Sequence, residues 1–195
     1  MVRAARSLRL LLVVFLLAGC AAKIPHVIVS DYAKRGTRLI AVMPVDDSVP
    51  DRRSAEMLRT NLVEELYFKG YPKIPLNMID EKLATLSRAK GQRVDPKAVG
   101  EMLKVDAVLY PKLKESGMGR GIFYAATAVG AEFELFSAKT GERLWRVEYR
   151  VIHRNYGLSR KQLELKTSQV YEPAVQEVVN RALETLPDGP DAIGS

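Results

Sequence analysis

A period-two pattern of apolar residues over 123–151 is the feature that most constrains the fold of this chain. A period of two residues is that of a β-strand, whose successive side chains point to opposite faces. A turn at 137–141 divides the region, and Glu132 and Glu134 fall on the polar side of the first strand. The pattern therefore predicts an antiparallel hairpin with one buried face. Its inward positions are Phe123, Ala125, Thr127, Val129, Ala131, Phe133 and Leu135, followed by Trp145, Val147, Tyr149 and Val151.

Strands and helices are predicted to alternate before this hairpin. The dense apolar run within Thr37–Val45 is typical of a central strand that is covered on both faces. Leucines spaced four residues apart predict a helix over Ser54–Lys69, and Asp95 followed by Pro96 is a favourable helix start. The remaining predicted elements are a short strand at Tyr71–Pro75, a helix at Asn77–Ala89, a strand at Val105–Leu113 and a helical region at Leu158–Leu186, in which Pro173 begins a new helix.

This order of elements predicts an α/β fold: a single-domain sandwich whose mixed sheet becomes antiparallel at its later strands. The element order is strand, helix, strand, two helices, three strands and a final helix. We expect the folded domain to span residues 37–187, followed by a flexible tail at 188–195.

The first twenty residues have the layout of a bacterial export signal. Three arginines precede an apolar run from Leu10 to Ala18, which is too short for the ~20 residues that a transmembrane helix needs. The end of the segment is similar to the lipobox of bacterial lipoproteins, with small residues before a cysteine. We therefore expect residues 1–19 to be removed and Cys20 to carry lipid. The signal-peptidase recognition residues are Leu17, Ala18 and Gly19; an ordinary signal with an incidental cysteine is the alternative.

The cysteine content supports lipidation, because Cys20 is the only cysteine in the chain. Residues 20–36 are predicted to form the lipidated cysteine and a mostly irregular tether, in which Val27, Ile28 and Val29 could dock on the domain. Fully extended, about 15 residues reach roughly 50 Å. In the sorting scheme that the resemblance to bacterial lipoproteins implies, an aspartate after the cysteine favours retention in the inner membrane. Ala21 stands there instead, so we expect the outer membrane, facing the periplasm.

Composition excludes one class of partner. The net charge is +7, and three of the basic residues lie in the signal, which leaves +4 for the rest of the chain. This mild excess gives no reason to expect nucleic acid as a partner, since that would require a clustered basic face.

Few residues suggest a catalytic or metal-binding role. The two histidines, His26 and His153, have no partners at the spacing of a metal site or a catalytic motif. Asp46 and Asp47 follow the first strand, where they could bind a cation or act as acid and base, although a polar turn that caps the next helix is favoured. We therefore expect no enzymatic activity, no catalytic residue, no metal, no cofactor and no small-molecule substrate.

Two further features have structural interpretations. The glycines of Gly117–Gly121 lie between strands rather than before a helix, so a hairpin turn is favoured over a phosphate loop. Trp145 is expected in the core. Aromatic residues near the later strands could form a surface for a partner; they are Tyr110, Phe123, Tyr124 and Phe136.

Three segments together resemble a known family. They are the run from Leu39 to Val45, the run from Val105 to Tyr110, and the hairpin ending from Lys139 to Trp145. Their order, combined with a lipobox, is similar to the bacterial lipoproteins typified by a genome-derived neisserial antigen, which are related in fold to the curli secretion lipoprotein CsgG and to the N-terminal domain of TolB.

The resemblance implies a non-enzymatic accessory or assembly component of a trans-envelope transport or secretion system. The partners that it implies are the membrane, through lipid on Cys20, other CsgG-like envelope lipoproteins and a second copy of the chain. A periplasmic activator of a cell-wall synthase is the alternative function, and an enzyme that uses Asp46 and Asp47 is a third.

Overall fold

A computed structural model describes residues 23–47, 51–85, 93–120, 124–156 and 160–192. Its centre is a six-stranded mixed sheet with the order β1-β6-β5-β4-β2, in which β3 also pairs with β4. The strands β2 and β3 run parallel to β4, while the pairs β4–β5, β5–β6 and β1–β6 are antiparallel. The strands are β1 (His26–Ile28), β2 (Ile40–Val42), β3 (Asp46–Asp47), β4 (Ala107–Arg120), β5 (Tyr124–Ser137) and β6 (Arg143–Tyr156).

Helices cover both faces of this sheet to different extents. The main core lies on one face, where two long helices pack on β4, β5 and β6, and a smaller core lies on the other face, between two short helices and the β2–β4 side. This arrangement confirms the predicted α/β fold with a mixed sheet. The long helices are α1 (Arg52–Phe68) and α4 (Arg160–Leu183), and the short ones are α2 (Leu76–Ala84) and α3 (Pro96–Leu103).

The alternation that predicted the hairpin is confirmed. Every inward position from Ala125 to Leu135 in β5 is at most 2% exposed, and Val147 in β6 is fully buried. We call this the inner face of the sheet. The opposite, outer face carries the charged positions, among them Glu132 and Glu134 of β5.

The helix starts follow the predicted capping chemistry in part. The Asp95 side chain accepts a hydrogen bond from the backbone N–H of Lys97, with Pro96 in the first helical position, as predicted for α3. For α1 the cap is Asp51, whose carboxylate accepts from the backbone N–H of Ser54. The favoured interpretation of Asp46 and Asp47 as the capping turn is therefore wrong.

Three other local predictions differ from the structure. No strand forms at Tyr71–Pro75, because the backbone N–H of Tyr71 bonds back to the carbonyl of Leu66 and two prolines interrupt the segment. Gly117 and Gly119 lie inside β4 rather than in a turn, while Gly121 lies outside the described residues. The final helix, Arg160–Leu183, continues through Pro173, so Pro173 does not begin a new helix.

The segment predicted as a tether is partly built into the domain. Val27 and Ile28 lie in β1, which pairs with β6 from His26 opposite Val147 to Ile28 opposite Trp145. A short 3-10 helix, Tyr32–Arg35, follows, and Tyr32 is buried in the main core. Only residues 21–25 separate Cys20 from β1. At full extension these five residues span roughly 17 Å.

The predicted tail is likewise held to the domain up to residue 192, because the chain after α4 folds back on the end of α1. The N–H of Gly189 donates to the Lys69 carbonyl over 2.6 Å, and that of Asp191 donates to the Gly70 carbonyl over 3.1 Å. The Tyr71 hydroxyl donates to the carbonyl of Pro187 over 2.9 Å and contacts the Tyr32 hydroxyl at 3.0 Å. The two ends of the domain therefore meet at this corner.

Gly70 is the residue on which this corner depends. Its φ is +86°, and a Cβ placed on it would overlap the backbone N of Ala192. We expect Gly70→Ala to lower the free energy of unfolding by about 2 kcal/mol, since backbone strain and displacement of the C-terminal segment add. Gly36→Ala is the matched control, because Gly36 has a φ of +60° and open space around its Cβ position. Gly36→Ala should lower the free energy of unfolding by about 1 kcal/mol, the contribution of backbone strain alone. Equal urea midpoints for the two variants would contradict the predicted overlap.

Candidate functional site

The predicted lipidation site lies outside the described residues. Cys20 and the recognition residues Leu17, Ala18 and Gly19 precede residue 23, where the description of the structure begins. Lipidation at this cysteine therefore stays a prediction. Among the described residues, no helix combines the length and the apolar character needed to cross a membrane.

The two histidines lie apart from one another, each with its own partner. The Nδ1 atom of His26 is 2.9 Å from the carbonyl oxygen of Ile24, within the chain that leads into β1. The Nε2 atom of His153 is 2.9 Å from a carboxylate oxygen of Glu177, which links β6 to α4. Within the described part of the chain, no cluster of histidine, cysteine and carboxylate side chains could hold a metal ion.

Asp46 and Asp47 form the short strand β3 instead of an open turn. Asp46 is paired in register with Lys112, and its carboxylate lies 3.3 Å from the Lys112 ammonium group. This ion pair links neighbouring strands of the sheet. The structure therefore gives Asp46 a role in fastening β3 to β4.

A polar cluster that the sequence did not reveal lies at the start of α1, on the inner face. The Asp51 carboxylate accepts hydrogen bonds from the hydroxyls of Ser116, over 2.6 Å, and Tyr171, over 3.0 Å, and from both the hydroxyl and the backbone N–H of Ser54. The hydroxyl of Ser54 is also 3.0 Å from that of Ser116, and the Tyr171 hydroxyl contacts both serines. One carboxylate thus joins α1, β4 and α4.

The surroundings of Asp51 stabilise its ionised form and make it unsuited to act as a general base near neutral pH. Burial alone would raise the pKa of Asp51, but hydrogen bonds from Ser116, Ser54 and Tyr171 outweigh that effect and lower the pKa to about 2. A general base that works near neutral pH needs a much higher pKa. The geometry of this cluster therefore supports a structural junction. Its signal in the sequence is weak because residues 51, 54, 116 and 171 come together only in the folded chain.

The outer face of β4, β5 and β6 carries a ladder of ion pairs. Glu132 lies between Lys114, at 2.9 Å, and Arg146, and Glu134 lies between Arg93, at 3.1 Å, and Arg143, at 2.8 Å. Burial would raise the pKa of Glu132, but hydrogen bonds from Lys114 and Arg146 outweigh it, so the pKa of this carboxyl is lowered. The two carboxylates of β5 are therefore engaged in ion pairs with neighbouring basic side chains of the domain.

Aromatic residues predicted as a partner surface take two different roles. Tyr110 and Phe136 pack edge to face with ring centroids 5.7 Å apart, and the guanidinium carbon of Arg93 lies 3.8 Å from the centre of the Tyr110 ring. Burial raises the pKa of Tyr110 to about 12. Tyr124 is instead exposed near the end of the sheet, and Phe123 lies outside the described residues. Trp145 is buried, as predicted, and its indole N–H donates to the Thr185 hydroxyl over 3.0 Å.

Comparison with known proteins confirms the resemblance found in the sequence motifs. The model of a family described as "Putative lipoprotein GNA1162-like" matches residues 29–191. No curated protein matches the chain in sequence.

Among solved structures, the lipoprotein GNA1162 from Neisseria meningitidis is similar with 23% sequence identity and a TM-score of 0.55; the match covers 73% of this chain and 99% of that one. PelC from Paraburkholderia phytofirmans, solved as a dodecamer, matches with 13% identity and a TM-score of 0.48, covering 82% of this chain and 96% of that one. At 23% identity, the match to the neisserial lipoprotein is one of fold.

Proposed function

The chain belongs to the GNA1162-like lipoprotein family, and from this premise we propose that it is an outer-membrane lipoprotein that serves as a non-enzymatic accessory or assembly component of a trans-envelope transport or secretion system. Family membership implies a lipid-anchored location in the cell envelope. Lipid on Cys20, the outer membrane and the role in transport are the parts that we propose.

The short link between Cys20 and the sheet is the observation that carries this proposal. Because β1 begins at His26, only five residues separate it from the cysteine, a span of roughly 17 Å when extended. Several acyl chains, each CH₂ contributing about 0.8 kcal/mol, would hold such a domain stably at a bilayer. A domain kept this close to its membrane is suited to work on partners in or at the same membrane.

The chemistry of the polar groups supports a role without catalysis. The Asp51 carboxylate is held by hydroxyl donors, and Asp46 is paired with Lys112. His153 faces Glu177, and its register neighbour in β5 is Thr127, whose buried hydroxyl oxygen has no hydrogen-bond partner among the described residues. A nucleophile activated by an adjacent base needs a direct hydrogen bond between the two groups. We therefore assign the domain a binding role.

The alternative function, activation of a cell-wall synthase, requires a longer reach. An activator anchored in the outer membrane must extend across the periplasm to the peptidoglycan layer. A link of five residues spans roughly 17 Å, well short of the roughly 50 Å that the predicted tether would reach. This difference favours a partner at the membrane over one at the cell wall.

We expect Cys20→Ala to move the protein from the membrane fraction to the soluble periplasmic fraction. The substitution removes the only thiol that could accept lipid and leaves the described domain unchanged. Fractionation with immunoblotting measures the shift, and mass spectrometry of the N-terminal peptide should show acyl chains on the unsubstituted protein alone. Ala21→Ser is the control and should stay membrane-bound. Retention of the Cys20→Ala variant in the membrane fraction would contradict the lipid anchor.

The role in transport is tested by crosslinking in intact cells followed by purification of the lipidated protein. We expect crosslinks to envelope transport or secretion components, and we expect them to weaken when Cys20→Ala frees the domain from the membrane. Recovery of a peptidoglycan synthase in their place would overturn the proposal in favour of the alternative.

A further inference from the structure

The end of the sheet formed by β5 and β6 carries exposed aromatic, aliphatic and basic side chains on one face. Tyr124 lies directly opposite Tyr156 in register, with exposed fractions of 43% and 67%. Ile152, 38% exposed, and the exposed Arg154 follow on the same outer face of β6. We call these four residues the strand tip: Tyr124, Ile152, Arg154 and Tyr156.

The direction of β1 allows the predicted anchor at Cys20 to reach the strand tip. Because β1 is antiparallel to β6 and His26 pairs with Val147, a chain followed back from His26 runs along β6 towards higher residue numbers. Cys20 is six residues from His26, a distance of at most about 20 Å, which equals about six residues of strand rise. Cys20 can therefore reach the level of residue 153, beside the strand tip. Ile24, partly buried against the main core, keeps the start of this path on the domain.

The charge of β6 next to the tip is predominantly basic. Along the outer face from residue 146 to residue 156, the residues that are charged at neutral pH are three arginines and one glutamate: Arg146, Glu148, Arg150 and Arg154. Arg150 is paired with Glu115 and Arg146 with Glu132, whereas no ion pair involves Arg154 among the described residues. The basic side chain of the strand tip, Arg154, is thus available to an external anion.

This combination of side chains fits the surface of a bilayer. Tyrosine is enriched at the level of lipid headgroups because its ring is apolar and its hydroxyl is polar. Arginine binds phosphate through several N–H donors, and its attraction to anionic lipid adds about 1 kcal/mol per residue near the surface. An exposed isoleucine between them adds apolar area at the same depth.

We propose that the strand tip lies on the anionic phospholipid surface of the membrane in which the Cys20 lipid is embedded. The inference rests on the proposed lipid anchor and adds an orientation to it: the end of β5 and β6 faces the membrane, and the corner at Gly70 is directed away from it. Since β1 and the tip are both fixed to β6, the anchor and the tip together would hold the domain in one orientation.

Vesicle sedimentation of the mature chain carrying Cys20→Ala tests the tip independently of the anchor, because this chain has no acyl group. We expect it to sediment with vesicles of phosphatidylethanolamine and phosphatidylglycerol, and much less with vesicles of phosphatidylethanolamine and phosphatidylcholine. Adding Arg154→Glu should weaken binding to the anionic vesicles about tenfold. Adding Tyr124→Ala together with Tyr156→Ala should weaken it about fivefold.

Matched controls come from exposed residues of the same types elsewhere on the domain. Tyr67 and Phe68 at the end of α1 are 53% and 73% exposed, and the side chain of Arg38 is 67% exposed. Tyr67→Ala with Phe68→Ala, and separately Arg38→Glu, should leave vesicle binding unchanged. Circular dichroism melting of every variant establishes that each is folded.

Two results would overturn the proposal. One is equal vesicle binding by the tip variants and the control variants. The other is a fall in molecular mass by sedimentation equilibrium in the tip variants with no change in vesicle binding, which would show that the tip contacts a second copy of the chain. Neither result would affect the anchor, which cell fractionation of Cys20→Ala tests separately.

Discussion

Replacing Trp145 by alanine is expected to lower the free energy of unfolding by about 3–5 kcal/mol, the range for removing a large aromatic side chain from a core. Trp145 is 1% exposed and lies on the inner face of β6. Its indole N–H also donates to the Thr185 hydroxyl, which joins β6 to the end of α4. The substitution removes both the packing and this link.

The loss of stability in Trp145→Ala should extend to β1, because Trp145 is the register partner of Ile28. With only three residues, β1 depends on the side chains that hold it against β6. Amide hydrogen exchange in residues 26–28 should therefore accelerate in Trp145→Ala more than exchange in β4. Loosening of β1 would also lengthen the link to Cys20, so the orientation that we propose for the domain at the membrane should depend on this buried residue.

Trp145→Phe is the matched control, because phenylalanine keeps much of the apolar volume and removes the N–H donor. We expect it to lower the free energy of unfolding by about 1–2 kcal/mol, since the Thr185 hydroxyl retains its hydrogen bond to the Ala182 carbonyl. Far-UV circular dichroism in urea is the suitable measurement, because Trp145 is the only tryptophan and its fluorescence disappears with it. Equal losses for Trp145→Ala and Trp145→Phe would contradict a packing role.

The elements that the sequence predicted well are those whose patterns are local and strong. The period-two alternation located β5 and β6 and their inner faces, and Asp95 with Pro96 located the start of α3. The buried first strand was placed correctly but observed to be shorter, with Ile40–Val42 paired to β4. In these cases the side-chain pattern and the tertiary structure favour the same conformation.

The elements that were missed depend on partners distant in sequence. Gly117 and Gly119 resemble turn residues, yet they lie opposite Ala128 and Ala126 in β5, where pairing with a long strand overrides the weak intrinsic preference of glycine. The segment at His26–Ile28 is too short to be recognised as a strand, and its conformation comes from pairing with β6. Helix α4 continues through Pro173 because packing on β5 and β6 offsets the lost backbone hydrogen bond.

The polar cluster around Asp51 illustrates the same limit at the level of a site. Ser116 lies just beyond a β-bulge between Leu113 and Glu115 in β4. A bulge shifts the alternation by one residue, so the serine faces the inner side and not the outer side. The side chain that Ser116 meets, Tyr171, is 55 residues further along the chain. Secondary-structure propensity and residue spacing in the sequence carry no information about such a long-range contact.

Replacing Asp51 by alanine is expected to lower the free energy of unfolding by about 2–3 kcal/mol at neutral pH, because it removes the cap of α1 and the acceptor shared by three hydroxyls. Asp51→Asn keeps the size and one acceptor oxygen, so its cost should be smaller, about 1 kcal/mol. Arg53→Ala, two residues away and exposed, is the control and should be nearly neutral.

The pH dependence separates the charge of Asp51 from its shape. Its pKa in the folded chain is about 2, below the ordinary value of 3.8, so its contribution to stability is complete above 3.8 and is lost as the pH falls towards 2. The difference in unfolding free energy between the unsubstituted protein and Asp51→Asn should therefore be constant near neutral pH and should shrink by about 1 kcal/mol, almost to zero, as the pH falls to about 2. Urea titrations across this range measure it. A difference that does not change with pH would show that the carboxylate is not held as an anion by Ser54, Ser116 and Tyr171, and that α1, β4 and α4 are joined there by packing alone.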